Sequence, residues 1–363
     1  MRLWYFDVSL LQSVAFTTSL ILALSLHPHP SSKLTIYPRA GSPRASAIAA
    51  KGPGLILMGG GGDVDSAFVW MCHTIAGDRK KHCGDVVVLR ASGDNDYDRY
   101  LLKLAPFNSA QTIKIERGAN DSDLTIAANI VDHAQGVFFG GGDQANYVWW
   151  KGTPLAAAVQ RVYDRGGVIG GNSAGLAIQG EWVYDSDAAD VVDRELTTND
   201  VVPNPSSPLI SFTHNLFAWP PLRNVITDSH FHQRNRLGRL AVFLARLKQN
   251  HGAGDLMGVG IDTGSALLVD KHGIATLVLN NPSGSALFLR GGSPQPVRPG
   301  KPLLYTDIQA TVLNKAGQTF DFNTRCAHAP TYSVSVNGNA TPIYNPENPY
   351  KPPQAAIVPS CHK

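Results

Sequence analysis

Charge is scarce in this chain. Asp, Glu, Lys and Arg make up 16% of its 363 residues and the formal net charge is +3, which leaves no broad basic field of the kind that attracts nucleic acid or an anionic membrane. The four cysteines form neither a CxxC nor a Cys/His zinc spacing, so no metal site is read from them. The glycine run at 59–62 is not followed by GK[ST] and opens no GxGxxG layout. A tight turn at a strand end is expected there instead of a nucleotide loop, and no cofactor is implied. Beyond the first thirty residues no stretch is apolar and long enough to cross a bilayer.

What is present is a 43% hydrophobic content, enough for a sizeable core. Arg2 precedes an apolar stretch that ends in His27-Pro28-His29-Pro30, so 1–28 reads as a signal peptide or an anchor. A secreted, extracellular protein with no membrane association after processing is the expectation. Residues 29–53, rich in Pro, Ser, Ala and Gly, read as a propeptide or linker, 54–290 as an α/β domain, and 291–363 as a β-rich or irregular C-terminal extension. In an oxidising compartment four cysteines form two disulfides, and the sequence-local pairing of Cys72 with Cys83 and Cys326 with Cys361 is preferred among the three arrangements. Sequons at Asn120 and Asn339 fit the same compartment.

Apolar runs at 55–58, 85–89, 112–115, 136–139 and 167–169 alternate with helical stretches, the rhythm of a parallel sheet wrapped by helices. Three of them end in glycine clusters, at 59–62, 140–142 and 170–171. Ligands of open α/β sheets sit at the carboxyl ends of strands, so these turns should line one crevice. Leu237, Leu240, Leu244 and Leu247 predict a helix over 233–250. After Asp255 short strands are expected at 266–269, 276–279 and 286–289.

Gly171-Asn172-Ser173-Ala174-Gly175 follows the run at 167–169 and fits a nucleophile elbow, where a sharp strand-to-helix turn exposes the serine Oγ. An ordinary βα turn is the plain alternative. The Ala174 N–H is one expected oxyanion donor, with Gly141 or Gly142 as the second. A serine needs a base, and of twelve histidines His230 in Asp228-Ser229-His230-Phe231 is best placed; His230 with His232 as a metal pair is the rival reading. Arg234, Arg236 and Arg239 follow, and three arginines beside a base are costly unless they bind anions or are solvated. For an acid that orients the imidazole, Asp185, Asp187, Asp190, Asp193 and Glu195 are all available.

Together these residues resemble the cyanophycinase family of serine peptidases, which shares a fold with aspartyl dipeptidase and the class I glutamine amidotransferases. Phe139-Gly140-Gly141-Gly142-Asp143-Gln144 is similar to the family's glycine-glycine-aspartate-glutamine loop, and 171–175 to its serine elbow. Asp228-Ser229-His230-Phe231 with Arg234, Arg236 and Arg239 is similar to its Asp-Gln-His-Phe-x-x-Arg-x-Arg-x-x-Arg signature. Gly260-Ile261-Asp262 and Ala266-Leu267 resemble its Gly-Ile-Asp-Glu-x-Thr-Ala-Leu strand. The resemblance covers about residues 54–270. It implies a three-layer α/β fold, a mostly parallel sheet flanked by helices, followed by a β-rich C-terminal extension.

The same resemblance implies an exopeptidase that needs no cofactor and releases β-Asp-Arg dipeptides from cyanophycin, an aspartate backbone with arginine on its side chains. Ser173 would be nucleophile and His230 base, beside the oxyanion donors already read from the elbow, Ala174 and Gly142. Gln144, Asp228, Arg234, Arg236 and Arg239 would hold the β-linked Asp-Arg unit. The family's Ser-Glu-Glu-Ala is most like Ser186-Asp187-Ala188-Ala189, which favours Asp187 as the acid with Asp190 behind it. Two departures, Ser229 for glutamine and Asn172 for threonine, and a Pro-rich insert over 199–221 that would reshape the entrance, leave another isopeptide or acidic peptide open as substrate. An esterase with a generic elbow is a rival, against which Gln144 and the arginine row argue. An inactive binding protein on the same scaffold is another, against which Ser173 and His230 argue. Monomer and homodimer both stay open.

Overall fold

Five short apolar strands build the centre of the molecule. In the computed structural model, which describes residues 32–77, 82–190, 194–252 and 255–361, Phe107–Ile115, Cys83–Arg90, Gly136–Phe139, Val168–Asn172 and Gly54–Met58 lie side by side in that order, all parallel. They read as near-continuous hydrophobic runs because helices cover both faces. Leu55 and Leu57 share a core with the helices Asp121–Val131 and Pro154–Asp164, while Ile56 and Met58 share another with Asp65–Ala76 and Asp96–Leu104. That alternation makes the three layers. The expected leader at 1–28 lies outside the described residues.

The expected α/β architecture with a β-rich C-terminal region is present, and the strands divide between two sheets. Ser265–Val269 joins the first sheet antiparallel to Gly54–Met58 and is followed by Ile274–Leu279 and Thr319–Asp321. The second, eight-stranded sheet holds Val225–Asp228 parallel to Met257–Ile261, then Ala286–Pro294, Leu304–Leu313, Thr331–Asn337 and Tyr344–Asn345. The chain turns at Gly264, φ +70°, so Met257–Ile261 and Ser265–Val269 part into different sheets. Residues 291–363 thus supply strands to both sheets. Residues 32–53, read above as a linker, pair with Phe107–Ile115 through Leu34–Ile36 and Ala40–Gly41 and cover its open edge.

The long helix spans Leu237–His251, starting later than its leucine pattern predicts. His230 and Asn235 take φ of 45° and 47°, which no helix accommodates, so 230–236 is a loop. Leu240, Leu244 and Leu247 pack with Leu287, Leu289, Tyr305 and Ile308 of the second sheet. The Pro-rich insert folds inward: Leu216, Phe217 and Trp219 are buried in the main core, with Phe217 5.5 Å from Phe139 and Trp219 4.7 Å from Tyr163 between ring centroids.

Both local cysteine pairs lie at bonding distance, Cys72 with Cys83 and Cys326 with Cys361, at Cα separations of 5.1 and 5.8 Å. The second closes a C-terminal strap that reaches the 230–236 loop, where the Tyr344 and Tyr350 hydroxyls each donate to Asn235 Oδ1 at 2.9 Å. Opening a loop of 35 residues by Cys361→Ser is expected to cost about 3–4 kcal/mol. Urea denaturation of the two proteins checks this, and an unchanged midpoint contradicts it.

Candidate active site

Val168–Asn172 ends at the residue before Ser173, and the short helix Ala174–Ala177 begins at the residue after it. Ser173 makes the turn with φ 54° and ψ −110°, a strained conformation for a residue with a Cβ, costing on the order of 1–3 kcal/mol. Its N–H donates to Met58 C=O at 3.0 Å. A Cβ on Gly171 would lie 2.1 Å from Gly175 O, so the pentad needs its first glycine on steric grounds. The plain βα-turn reading does not account for this strain.

Ser173 Oγ lies 2.9 Å from His230 Nε2. The two side chains arrive from different sheets, His230 from just beyond Val225–Asp228. The turn after Gly54–Met58 joins them: Gly59 C=O accepts the His230 N–H at 2.7 Å, and Gly60, φ +105°, leaves room for the ring. A Cβ on Gly60 would come within 2.3 Å of the imidazole. Asp63, ending the same turn, accepts from Asn172 Nδ2 at 2.7 Å and Tyr97 OH at 3.0 Å. Burial pushes its carboxyl above the usual range against those two bonds.

Burial, then the guanidinium groups of Arg234 and Arg236, push the His230 ring down to about 4, with Asp228 and Glu195 pulling the other way. The ring is therefore neutral at physiological pH and free to take a proton at Nε2. The rival metal pair is not formed: His232 stacks on Tyr350 at 4.5 Å, and among the described residues no group of three or more His, Cys, Asp or Glu is placed to hold an ion.

Ser173 opens on a cavity of about 250 Å³. Gly142, Gln144 and Tyr184 line it together with charges of both signs, Arg194, Arg234, Arg236 and Arg239 against Asp143, Asp190 and Glu195. No lining residue comes from 199–221, so the insert fills core and does not shape this opening. Of the two expected oxyanion donors, Ala174 follows the nucleophile directly and Gly142 borders it across the cavity. Neither N–H has a protein acceptor among the described residues.

The arginine row separates into three situations. Arg239 is fully buried and bidentate to Asp228, at 2.7 and 2.6 Å, with Leu196 C=O at 2.8 Å. Arg236 bonds Ser229 C=O at 2.8 Å and also pairs with Glu195. Arg234 is half-exposed and holds both Glu195 oxygens at 3.1 Å. Asp228, expected to hold substrate, does not line the cavity; it is spent on the two buried arginines. Burial opposes the charge on Glu195, but Arg236, Arg234 and Arg239 outweigh it and hold the carboxyl below the usual range.

The expected acid is also corrected. Asp187 pairs with Arg117 on the surface, and Asp190 bonds the same arginine at 3.2 Å. Asp185 is buried under Ser211 and Thr213, Glu195 is held by arginines, and Asp193 lies outside the described residues. None of the four described carboxylates bonds His230. The atom at its Nδ1 is Thr263 Oγ1, 3.2 Å away. Thr263 stands directly after Gly260-Ile261-Asp262, where the resembled strand carries glutamate, and that mismatch was the one available signal.

A strained serine bonded to a neutral histidine at the carboxyl end of a sheet has the geometry of a nucleophile and its base. No protein-family profile matches the chain. Two curated cyanophycinases, from Synechococcus elongatus and Thermosynechococcus vestitus, are each 29% identical over 140 residues, 38% of this chain and 37% of theirs. The chain is related to the cyanophycinases, and the match spans little more than a third of their length. A solved structure of a peptidase from an acI-B1 Actinobacterium aligns with a TM-score of 0.45 at 15% identity, over 75% of this chain and 97% of that one.

Three outcomes are expected here. Gly60→Ala should displace the imidazole and slow reaction of Ser173 with a fluorophosphonate by about a hundredfold, the scale of positioned proton transfer; an unchanged rate contradicts the geometry. The pH profile of that reaction should have its acid limb near 4, and Arg234→Gln should move the limb up towards the ordinary 6.5 by removing a cation. His230 takes its proton more readily in the unfolded chain, so its contribution to stability is whole above pH 6.5 and is lost as pH falls towards 4.

Proposed function

We propose that the protein is a secreted serine-type peptidase that hydrolyses amide bonds in a peptide or polymer carrying acidic and basic groups, with a cyanophycin-like β-Asp-Arg polymer as substrate class and dipeptides as product. The observation that carries this reading is the 2.9 Å contact between Ser173 Oγ and His230 Nε2, made by a strained serine on a cavity with charges of both signs. The relationship to cyanophycinases supports the substrate class. The two cysteine pairs at bonding distance support an oxidising destination.

In the cycle, Ser173 Oγ attacks the amide carbonyl carbon while its proton passes to His230 Nε2. The N–H groups of Ala174 and Gly142 receive the oxyanion. Collapse of the tetrahedral species expels the amine with the proton from His230, leaving an acyl ester on Ser173. His230 then takes a proton from water, the resulting hydroxide attacks the ester, and the acid product leaves as Ser173 regains its proton. A substrate carboxylate competes with Glu195 for Arg234 and Arg236, and a substrate cation meets Asp143 and Asp190. Gln144, whose Nε2 reaches Tyr184 C=O at 3.4 Å, borders the same space.

A second reading, a binding protein without activity, has one observation in its favour: His230 faces a hydroxyl where a carboxylate was expected. Incubation with β-Asp-Arg polymer, α-peptides and nitrophenyl esters, beside Ser173→Ala, separates the readings. Amide turnover lost in Ser173→Ala is the expected result. Absence of any amide turnover, or turnover indifferent to Ser173→Ala, refutes the peptidase.

Arg234 is the arginine with which to test substrate charge. Arg236 and Arg239 share the buried Asp228, so removing either disturbs a buried charge cluster and confounds folding with binding. Arg234→Glu is expected to raise KM for an acidic substrate about ten- to a hundredfold, the worth of one charge-assisted hydrogen bond, with an unchanged melting temperature. An unchanged KM contradicts the assignment.

A further inference from the structure

Two sides of Thr263 are fixed by the turns around it. A Cβ on Gly61 would stand 2.2 Å from its Cγ2, so the threonine methyl occupies the space that glycine leaves open. The Thr263 N–H donates to Gln233 Oε1 at 2.9 Å, and the next residue, Gly264, donates to Gly60 C=O at 3.0 Å. With backbone and methyl both held, a β-branched side chain has one rotamer left. That rotamer aims Oγ1 at His230 Nδ1, 3.2 Å away.

The third member of such a site has two separable tasks. It selects the tautomer with the proton on Nδ1, so that Nε2 is free to accept, and it stabilises the imidazolium that then forms. A hydroxyl does the first by accepting Nδ1–H. It supplies no charge for the second, and the charges that do face the ring are Arg234 and Arg236 against Asp228 and Glu195.

We propose that Thr263 is the positioning residue of the site, its hydroxyl accepting the Nδ1–H of His230 and thereby holding Nε2 towards Ser173. The proposal rests on the serine-peptidase reading for its consequence and on geometry alone for its content. When the Ser173 proton passes to Nε2, the Nδ1 proton stays where it is and Thr263 keeps its own. Orientation is thus supplied locally by Thr263, whereas the charge environment is set by groups on 195, 228, 234 and 236.

Ring nitrogen-15 NMR of the full chain tests this directly, alongside labelling by diisopropyl fluorophosphate. In the parent protein the neutral His230 ring should be the Nδ1–H tautomer. Thr263→Val, which keeps the methyl and the shape, should lose that preference and slow Ser173 labelling about a hundredfold, with Thr263→Ser restoring both. Thr263→Asp should raise the pH at which the ring titrates by about one to three units, through an adjacent opposite charge. A His230 tautomer and titration unaltered in Thr263→Val and Thr263→Asp overturn the proposal. Failure of the parent protein to label or to hydrolyse any amide overturns instead the serine-peptidase reading, while the NMR readout still decides the role of Thr263.

Discussion

The hydrogen bond from the His230 N–H to the Gly59 carbonyl, 2.7 Å long, ties the two sheets together at the point where nucleophile and base meet. Ser173 belongs to the first sheet and His230 to the end of a strand in the second, so nothing in either sheet alone brings them into contact. Residues 58–63 do this by touching every party. Met58 C=O takes the Ser173 N–H, Gly60 backs the imidazole, Gly60 C=O anchors Gly264, and Asp63 bonds the Asn172 side chain. Because all but the Asp63–Asn172 contact are to the backbone or to a glycine face, the arrangement tolerates little change in the turn itself.

The electrostatics follow from the same packing. Asp228 sits at the end of its strand with the buried Arg239 and Arg236, and the pairing frees neither arginine to leave. Burial first, then Arg234 and Arg236, keep the His230 ring neutral, with Asp228 and Glu195 pulling the other way. Glu195 satisfies Arg234 and Arg236 at the cavity wall, and under the proposed function a substrate carboxylate takes over that pairing.

Much of this was legible in the residues. Ser173 is legible because Gly171-Asn172-Ser173-Ala174-Gly175 follows an apolar run, a pattern an ordinary βα turn also fits, and the steric need for Gly171 is the pattern's physical cause. His230 stood out through its position after an apolar run. The glycine turn was read as a turn, but its role as a bridge depends on contacts between sheets that no local pattern encodes. The arginines looked equivalent in sequence; where the helix begins, at Leu237 and not at 233, decides that Arg239 is buried and Arg234 is exposed. The acid is expected among the carboxylates after the elbow, whereas the group at Nδ1 is a threonine hydroxyl from the turn between Met257–Ile261 and Ser265–Val269. Hydroxyl residues are too common for spacing to single one out.

Ser173 Oγ is the atom proposed to take the acyl group. Rapid-quench mass spectrometry during turnover of a β-Asp-Arg substrate measures this without reference to any variant. A transient mass increase equal to the acyl fragment, on the peptide containing Ser173, is the predicted result. Turnover with that peptide unmodified throughout contradicts it.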